Sequence, residues 1–144
     1  MRTVNWGVIG TARIALDRVV PAMLQAPSVK VAAIASRELG RARETAAKLG
    51  IAKAFGSYEE LLADPDIEAV YVPLPNHLHV AWCLAALAAG KHVLCEKPLA
   101  LQSADIGTLI RARDSSGLQI EEAFSFRDHP QWDALARLLA DGAI

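Results

Sequence analysis

Short apolar runs alternate with longer amphipathic segments along the whole chain. Val4 to Ile9, Val29 to Ala35, Ala52 to Phe55, Ile67 to Val72, His92 to Cys95 and Leu118 to Phe126 read as strands. Most of these runs are too apolar to leave one face in water. Between them, the 3.6-residue pattern and its punctuation predict helices over Ala12 to Gln25, Glu38 to Leu49, a short stretch after Ser57, Asn76 to Ala89, Ser103 to Ser115 and Pro130 to Ala140. Pro21 should break or restart the first helix, because it has no N–H and its ring crowds the preceding turn. Gly50, Gly90 and Gly117 stand where helices end in a left-handed residue. Ser57-Tyr58-Glu59-Glu60 has capping-box spacing, and Asp64-Pro65-Asp66 reads as a turn. Buried strands spaced by helices require a parallel sheet covered on both faces. The expected fold is therefore α/β, a doubly wound parallel sheet of about six strands, in one domain over residues 1–144.

Composition narrows the function. The 144 residues are 53% apolar and 22% charged, which excludes disorder. A domain of this size buries roughly 68% of its unfolded surface. The longest uncharged apolar stretch, Val80 to Ala89, is too short for a membrane span of about 20 residues. The opening residues lack a charged leader, an apolar core and a cleavage site, so no signal peptide is expected and the location is expected to be cytoplasmic. Fifteen basic against sixteen acidic residues leave a net charge of −1, which argues against a nucleic-acid partner but not against a local anion site. Cys83 and Cys95 form no Cys-x-x-Cys pair and read as ordinary reduced thiols.

The first strand runs into Gly10-Thr11-Ala12-Arg13-Ile14-Ala15, a Gly-x-Ala-x-x-Ala version of the dinucleotide fingerprint. The first Gly allows the tight turn, and Ala is the smallest replacement at the two positions where backbone meets pyrophosphate and helix meets strand. Helix amides would then face the diphosphate, with Arg13 adding charge. Such a turn also occurs in α/β folds that bind nothing. The second strand ends in Ser36-Arg37, where NAD-binding chains carry a carboxylate for the ribose 2′-hydroxyl. A hydroxyl beside a guanidinium suits a 2′-phosphate instead, so NADP is favoured, with NAD possible. Arg41 adds positive potential one turn on, and Glu38 is expected to point away. The alternative is a solvated, charged helix start.

Pro73-Leu74-Pro75-Asn76-His77-Leu78-His79 follows the fourth strand, with Asn76 placed as an N-cap. His77 and His79 are two apart and share no helix face, so no metal site is expected. Glu96-Lys97-Pro98 follows the fifth strand, at the sheet edge where α/β folds bind ligands. Lys97 there can bond ribose or substrate hydroxyls or help move a proton, with Glu96 fixing its ammonium. A surface ion pair of little consequence is the alternative.

Several blocks together resemble the N-terminal half of the Gfo/Idh/MocA oxidoreductase family, which includes glucose-fructose oxidoreductase, inositol dehydrogenase and dihydrodiol dehydrogenase-like enzymes. They are Gly7 to Ala15, Ala35-Ser36-Arg37, Pro75 to His79, Gly90 to Ala100 and Glu121 to Trp132, in family order, with Glu-Lys-Pro the most diagnostic. The resemblance implies a Rossmann-type domain for NADP, from enzymes that exchange hydride with sugar, polyol or dihydrodiol-type alcohols. It implies that Gly10, Thr11, Ala12, Arg13 and Ile14 hold the pyrophosphate and Ser36 and Arg37 the adenosine end. Pro73 would bind the cofactor, Asn76 and His79 would lie by the nicotinamide ribose, catalytic Glu96 and Lys97 at the nicotinamide and substrate, and Arg127 near the carboxamide. It also implies a cis Lys97–Pro98 bond. Family members are more than twice this length, and the family's C-terminal substrate domain is expected to be absent here. That leaves three possibilities: the cofactor-binding half of an oxidoreductase, a non-catalytic or truncated NADP-binding module, and a different Rossmann-type protein such as a methyltransferase. An apolar surface around Phe124, Phe126, Trp132 and Leu135 is expected to lie uncovered and to drive homo-oligomer formation.

Overall fold

The computed structural model describes residues 2–143; Met1 and Ile144, the ends on which the leader and termination readings partly rest, lie outside them. Six strands make one sheet: β1 (Val4–Ile9), β2 (Val29–Ala35), β3 (Lys53–Phe55), β4 (Ala69–Val72), β5 (His92–Cys95) and β6 (Ile120–Glu122). Their order is β3-β2-β1-β4-β5-β6, and every pair is parallel. This is the doubly wound order in which the chain reverses direction between β1 and β4.

The helices are α1 (Val20–Met23), α2 (Leu39–Leu49), α3 (Tyr58–Ala63), α4 (His79–Ala88), α5 (Ser103–Ser116) and α6 (Gln131–Ala140). Side chains alternate along each strand, so the sheet feeds two cores. On one face Val8, Ile34 and Tyr71 pack with Val20 of α1 and Ala46 of α2. On the other, Ile9, Ala33, Val70, Val72, Val93 and Cys95 pack with Leu61, Cys83, Leu87 and Leu109. The register between β1 and β2 shifts at Trp6/Gly7, leaving Ala32 as an extra residue on β2. Gly7 is required by packing: a Cβ there would meet Leu61 Cδ2 at 2.6 Å.

Several boundaries differ from the sequence reading, each for a local reason. The first helix starts at Arg13 and widens into a π turn, Ala15–Val19, before Pro21 takes a first-turn position in α1. The widened turn gives the proline ring room that a regular turn denies it. Ser57 caps α3 by accepting from Glu60 N at 3.1 Å, but Glu60 returns its carboxylate to Gly56 N rather than to Ser57. Asn76 is not an N-cap; it starts a single 3₁₀ turn, Asn76–Leu78, that precedes α4. β6 is three residues rather than nine, because β5 ends at Cys95 and the edge strand has nothing left to pair with beyond Ala123, whose N–H reaches Cys95 O. Gly50, Gly90 and Gly117 all take positive φ after their helices, as expected.

Candidate functional site

The loops at the carboxyl ends of the strands form two adjoining clefts. The smaller, about 240 Å³, is lined by Gly10, Thr11, Ala12, Ser36, Arg37, Glu38, Arg41 and Tyr58. The larger, about 860 Å³, runs from Ala12, Ile14 and Arg18 across Asn76 to Glu96, Lys97, Glu122 and Phe124. Ala12, Pro73, Leu74 and Pro75 line both. The two clefts therefore share a wall where the strand order reverses, the place α/β sheets bind ligands.

Gly10 makes that wall possible. Its φ is +105°, and a Cβ would sit 2.9 Å from Leu74 Cδ2. Only a residue without a side chain lets the turn after β1 pass under the β4 loop. The helical run that follows begins at Arg13, so its first amides open toward the shared wall. Arg41 closes the other side, donating to Thr11 O at 3.5 Å.

In the smaller cleft, Ser36 is buried and its Oγ accepts from Glu38 N at 3.4 Å. Arg37 and Arg41 both line the small cleft. Glu38 lines the same cleft, where its backbone N–H meets Ser36.

At the other end, Lys97 is exposed to the larger cleft, and no ion pair among the described residues includes it. Glu96 does not fix the ammonium. Its Oε1 takes the Tyr71 hydroxyl at 2.7 Å, and its Oε2 takes the Lys97 backbone N–H at 3.3 Å. Glu122 accepts from Leu99 N at 2.7 Å, which pins the loop after Lys97. The Lys97–Pro98 bond is cis.

Three residues singled out from the sequence line neither cleft. Arg13 turns outward to pair with Asp17 at 3.0 Å. His79 is fully buried, with both ring nitrogens 2.7 Å from carbonyls, those of Pro98 and Leu74. It ties the β4 loop to the β5 loop instead of facing a ligand. Arg127 sits on an exposed 3₁₀ turn, Ser125–Asp128, with only its backbone N–H engaged, on Phe124 O. Gly10, Thr11, Ala12, Ile14, Ser36, Arg37, Pro73, Asn76, Glu96 and Lys97 are brought together on the two clefts.

Sequence reasoning missed Arg18, Tyr71 and Glu122. Arg18 sits on the π turn, which no pattern of apolar positions foretells. The signal for Tyr71 was a phenol inside an apolar strand, since a buried hydroxyl needs a partner. Both thiols are buried, and hydrogen bonding with Cys83 and burial push the Cys95 thiol far above its ordinary range. No cluster of metal-ligating side chains occurs among the described residues, and no described helix is long and apolar enough to cross a membrane.

Residues 4–124 match an oxidoreductase family described as having an NAD-binding Rossmann fold. The chain is 56% identical over 144 residues to an uncharacterised oxidoreductase of Rhizobium meliloti, covering all of this chain and 43% of that protein. It is 46% identical over 141 residues to D-xylose 1-dehydrogenase (NADP(+)) 2 of Haloferax volcanii, covering 96% of this chain and 43% of that one. The fold superposes on KijD10, a 3-ketoreductase from Actinomadura kijaniata solved in complex with NADP. There the TM-score is 0.92 and the identity 41%, over 99% of this chain and 45% of the other. The chain thus spans less than half the length of these relatives.

Proposed function

Because the chain belongs to the Gfo/Idh/MocA oxidoreductase family, we propose that it is the cofactor-binding half of an NADP-dependent oxidoreductase acting on a sugar, polyol or dihydrodiol-type alcohol. One observation carries this reading: two clefts meet at the Gly10 turn, with paired arginines at one end and an unpaired lysine at the other. The Haloferax dehydrogenase, named for NADP(+), and the NADP complex of KijD10 support it.

The dinucleotide supplies the hydride chemistry. The chain's residues bind and orient. The Gly10–Ile14 turn takes the diphosphate on its amides, with Arg41 closing over it. Ser36 and Arg37 take the 2′-phosphate, Arg37 through charge-assisted bonds. Pro73 and Asn76 flank the nicotinamide ribose. Lys97, free of an internal partner, donates to or accepts a proton from the substrate oxygen. One lysine in an open cleft neither fixes a substrate nor excludes water, so turnover by this chain alone should be slight. A non-catalytic NADP-binding module is the second reading, favoured by the exposure of every residue from Ser125 to Ala143.

NADPH titration followed by fluorescence, with turnover assayed on sugars and polyols, tests both. NADPH binding without turnover supports the module; binding of neither dinucleotide overturns the family function for this chain. Arg37→Ala should weaken NADP(H) by about 10- to 150-fold, the equivalent of roughly 1.5–3 kcal/mol for bonds to a charged group, and leave NAD(H) unchanged. A wild-type preference for NAD would overturn the 2′-phosphate reading and hand the ribose to Glu38.

We also propose that the chain self-associates. Phe124, Phe126, Trp132, Leu135, Leu138 and Leu139 are exposed large apolar side chains, most of them along α6. Phe126 stacks edge-on with both Phe124 and Trp132, making one apolar surface of them. Elution volume should fall as concentration rises, and Leu135→Lys with Leu138→Lys should restore a monomer. A monomer at every concentration would refute this.

A further inference from the structure

Tyr71 is fully buried at the centre of the sheet, yet its hydroxyl bonds Glu96, which lines the larger cleft. Its position follows from register. Tyr71 on β4 pairs with Leu94 on β5, and Glu96, two residues beyond Leu94, returns to the same side of the sheet. The ring packs among Val8, Ala15, Val20 and Ile34, which leaves the hydroxyl one polar neighbour, Glu96 Oε1, at 2.7 Å. Burial, the hydrogen bond and the nearby carboxylate charge all hold the phenol in its protonated form, well above its ordinary value. The hydroxyl is thus a permanent donor.

Glu96 has two restraints, this hydroxyl and the Lys97 backbone N–H, and neither comes from the Lys97 ammonium. Glu96 lines the larger cleft, and a carboxylate with two such contacts keeps lone pairs to accept further bonds. We infer that Tyr71 is a positioning residue: its buried hydroxyl holds Glu96 as a fixed acceptor for a hydroxyl at the nicotinamide end of the cleft and keeps that carboxylate off Lys97. This rests on the dinucleotide reading above. Without the phenol, a freed Glu96 could turn to the adjacent Lys97, whose ammonium has no ion-pair partner among the described residues.

Tyr71→Phe removes the hydroxyl and keeps the ring. It should weaken NADPH about tenfold, a change of about 1.4 kcal/mol. Adenosine 2′,5′-bisphosphate, which carries the adenosine end but no nicotinamide ribose, should bind as it does to wild type. Glu96→Asp keeps the charge but falls a methylene short of the phenol, and it should lose the same factor with Tyr71 intact. The double variant with Glu96→Gln should be no worse than Glu96→Gln alone, since both changes break one linkage. Equal loss for both ligands, full additivity, or wild-type NADPH affinity in Tyr71→Phe and Glu96→Asp would each overturn the positioning role. Wild type failing to bind either ligand would instead remove the dinucleotide reading itself.

Discussion

Gly10→Val is expected to abolish NADPH binding by this chain. Two independent costs meet at the position. The backbone holds φ at +105°, a region that a β-branched residue enters at about 1–3 kcal/mol or more. The new Cβ would also lie 2.9 Å from Leu74 Cδ2, so the Leu74 side chain must shift within the wall that the two clefts share. Overpacking of that kind adds about 1–3 kcal/mol. Relief comes by lifting the turn away from the β4 loop, which moves the amides that would receive a diphosphate. The loss should therefore appear in affinity as well as in stability. Gly50→Ala is the control: its φ is +69°, nothing lies within 4 Å of the added Cβ, and Gly50 lines neither cleft. That variant should melt lower but bind normally. Retained NADPH binding in Gly10→Val would mean that the turn is not the diphosphate cradle.

The parallel sheet and its helices were legible because periodicity and punctuation agree. Short apolar runs such as β2 and β4 are buried along nearly their whole length, unlike the helices between them, and the glycines at 50, 90 and 117 each take positive φ where a helix ends. The tight turn after β1 was legible because Gly10 joins a strand to a helix. What sequence could not show is direction. Arg13 sits in the turn by position, yet it leans toward Asp17, four residues on and one helical turn away. His79 stands in the same block as Asn76, but one faces the cleft and the other is enclosed. Nothing in a one-dimensional pattern says which. The Glu96–Lys97 pairing failed for a different reason: adjacency in sequence suggested an ion pair, while a residue 25 positions earlier already held the carboxylate. Long-range partners of that kind come from strand order. The length of β6 was overestimated because an alternating pattern gives no information about whether a neighbouring strand extends far enough to pair with it.

Lys91→Met should lower the melting temperature by about 6–12 °C, from a loss of about 3 kcal/mol in a chain near 150 residues. Lys91 is buried, and its Nζ donates to two carbonyls, Asp64 O and Ile67 O, each at 2.8 Å. These bonds tie the turn after α4 to the loop before β4, which are far apart in sequence. Methionine keeps the apolar stem and removes the ammonium, leaving both carbonyls facing an apolar tip. Replacing both partners of a buried polar contact is often harmless; removing one leaves the other to bear its full desolvation. Lys48→Met is the exposed control. Its ammonium pairs with Glu44 at 2.7 Å, but the two side chains are 70% and 67% exposed, so water replaces what is lost and stability should hardly change. Lys91 precedes β5 at the end of the sheet opposite Lys97, so the Lys91→Met protein that remains folded should bind NADPH as wild type does. Melting within about 2 °C of wild type, less than 1 kcal/mol on that scale, would show that the two carbonyls find water and that this lysine is not a staple of the fold.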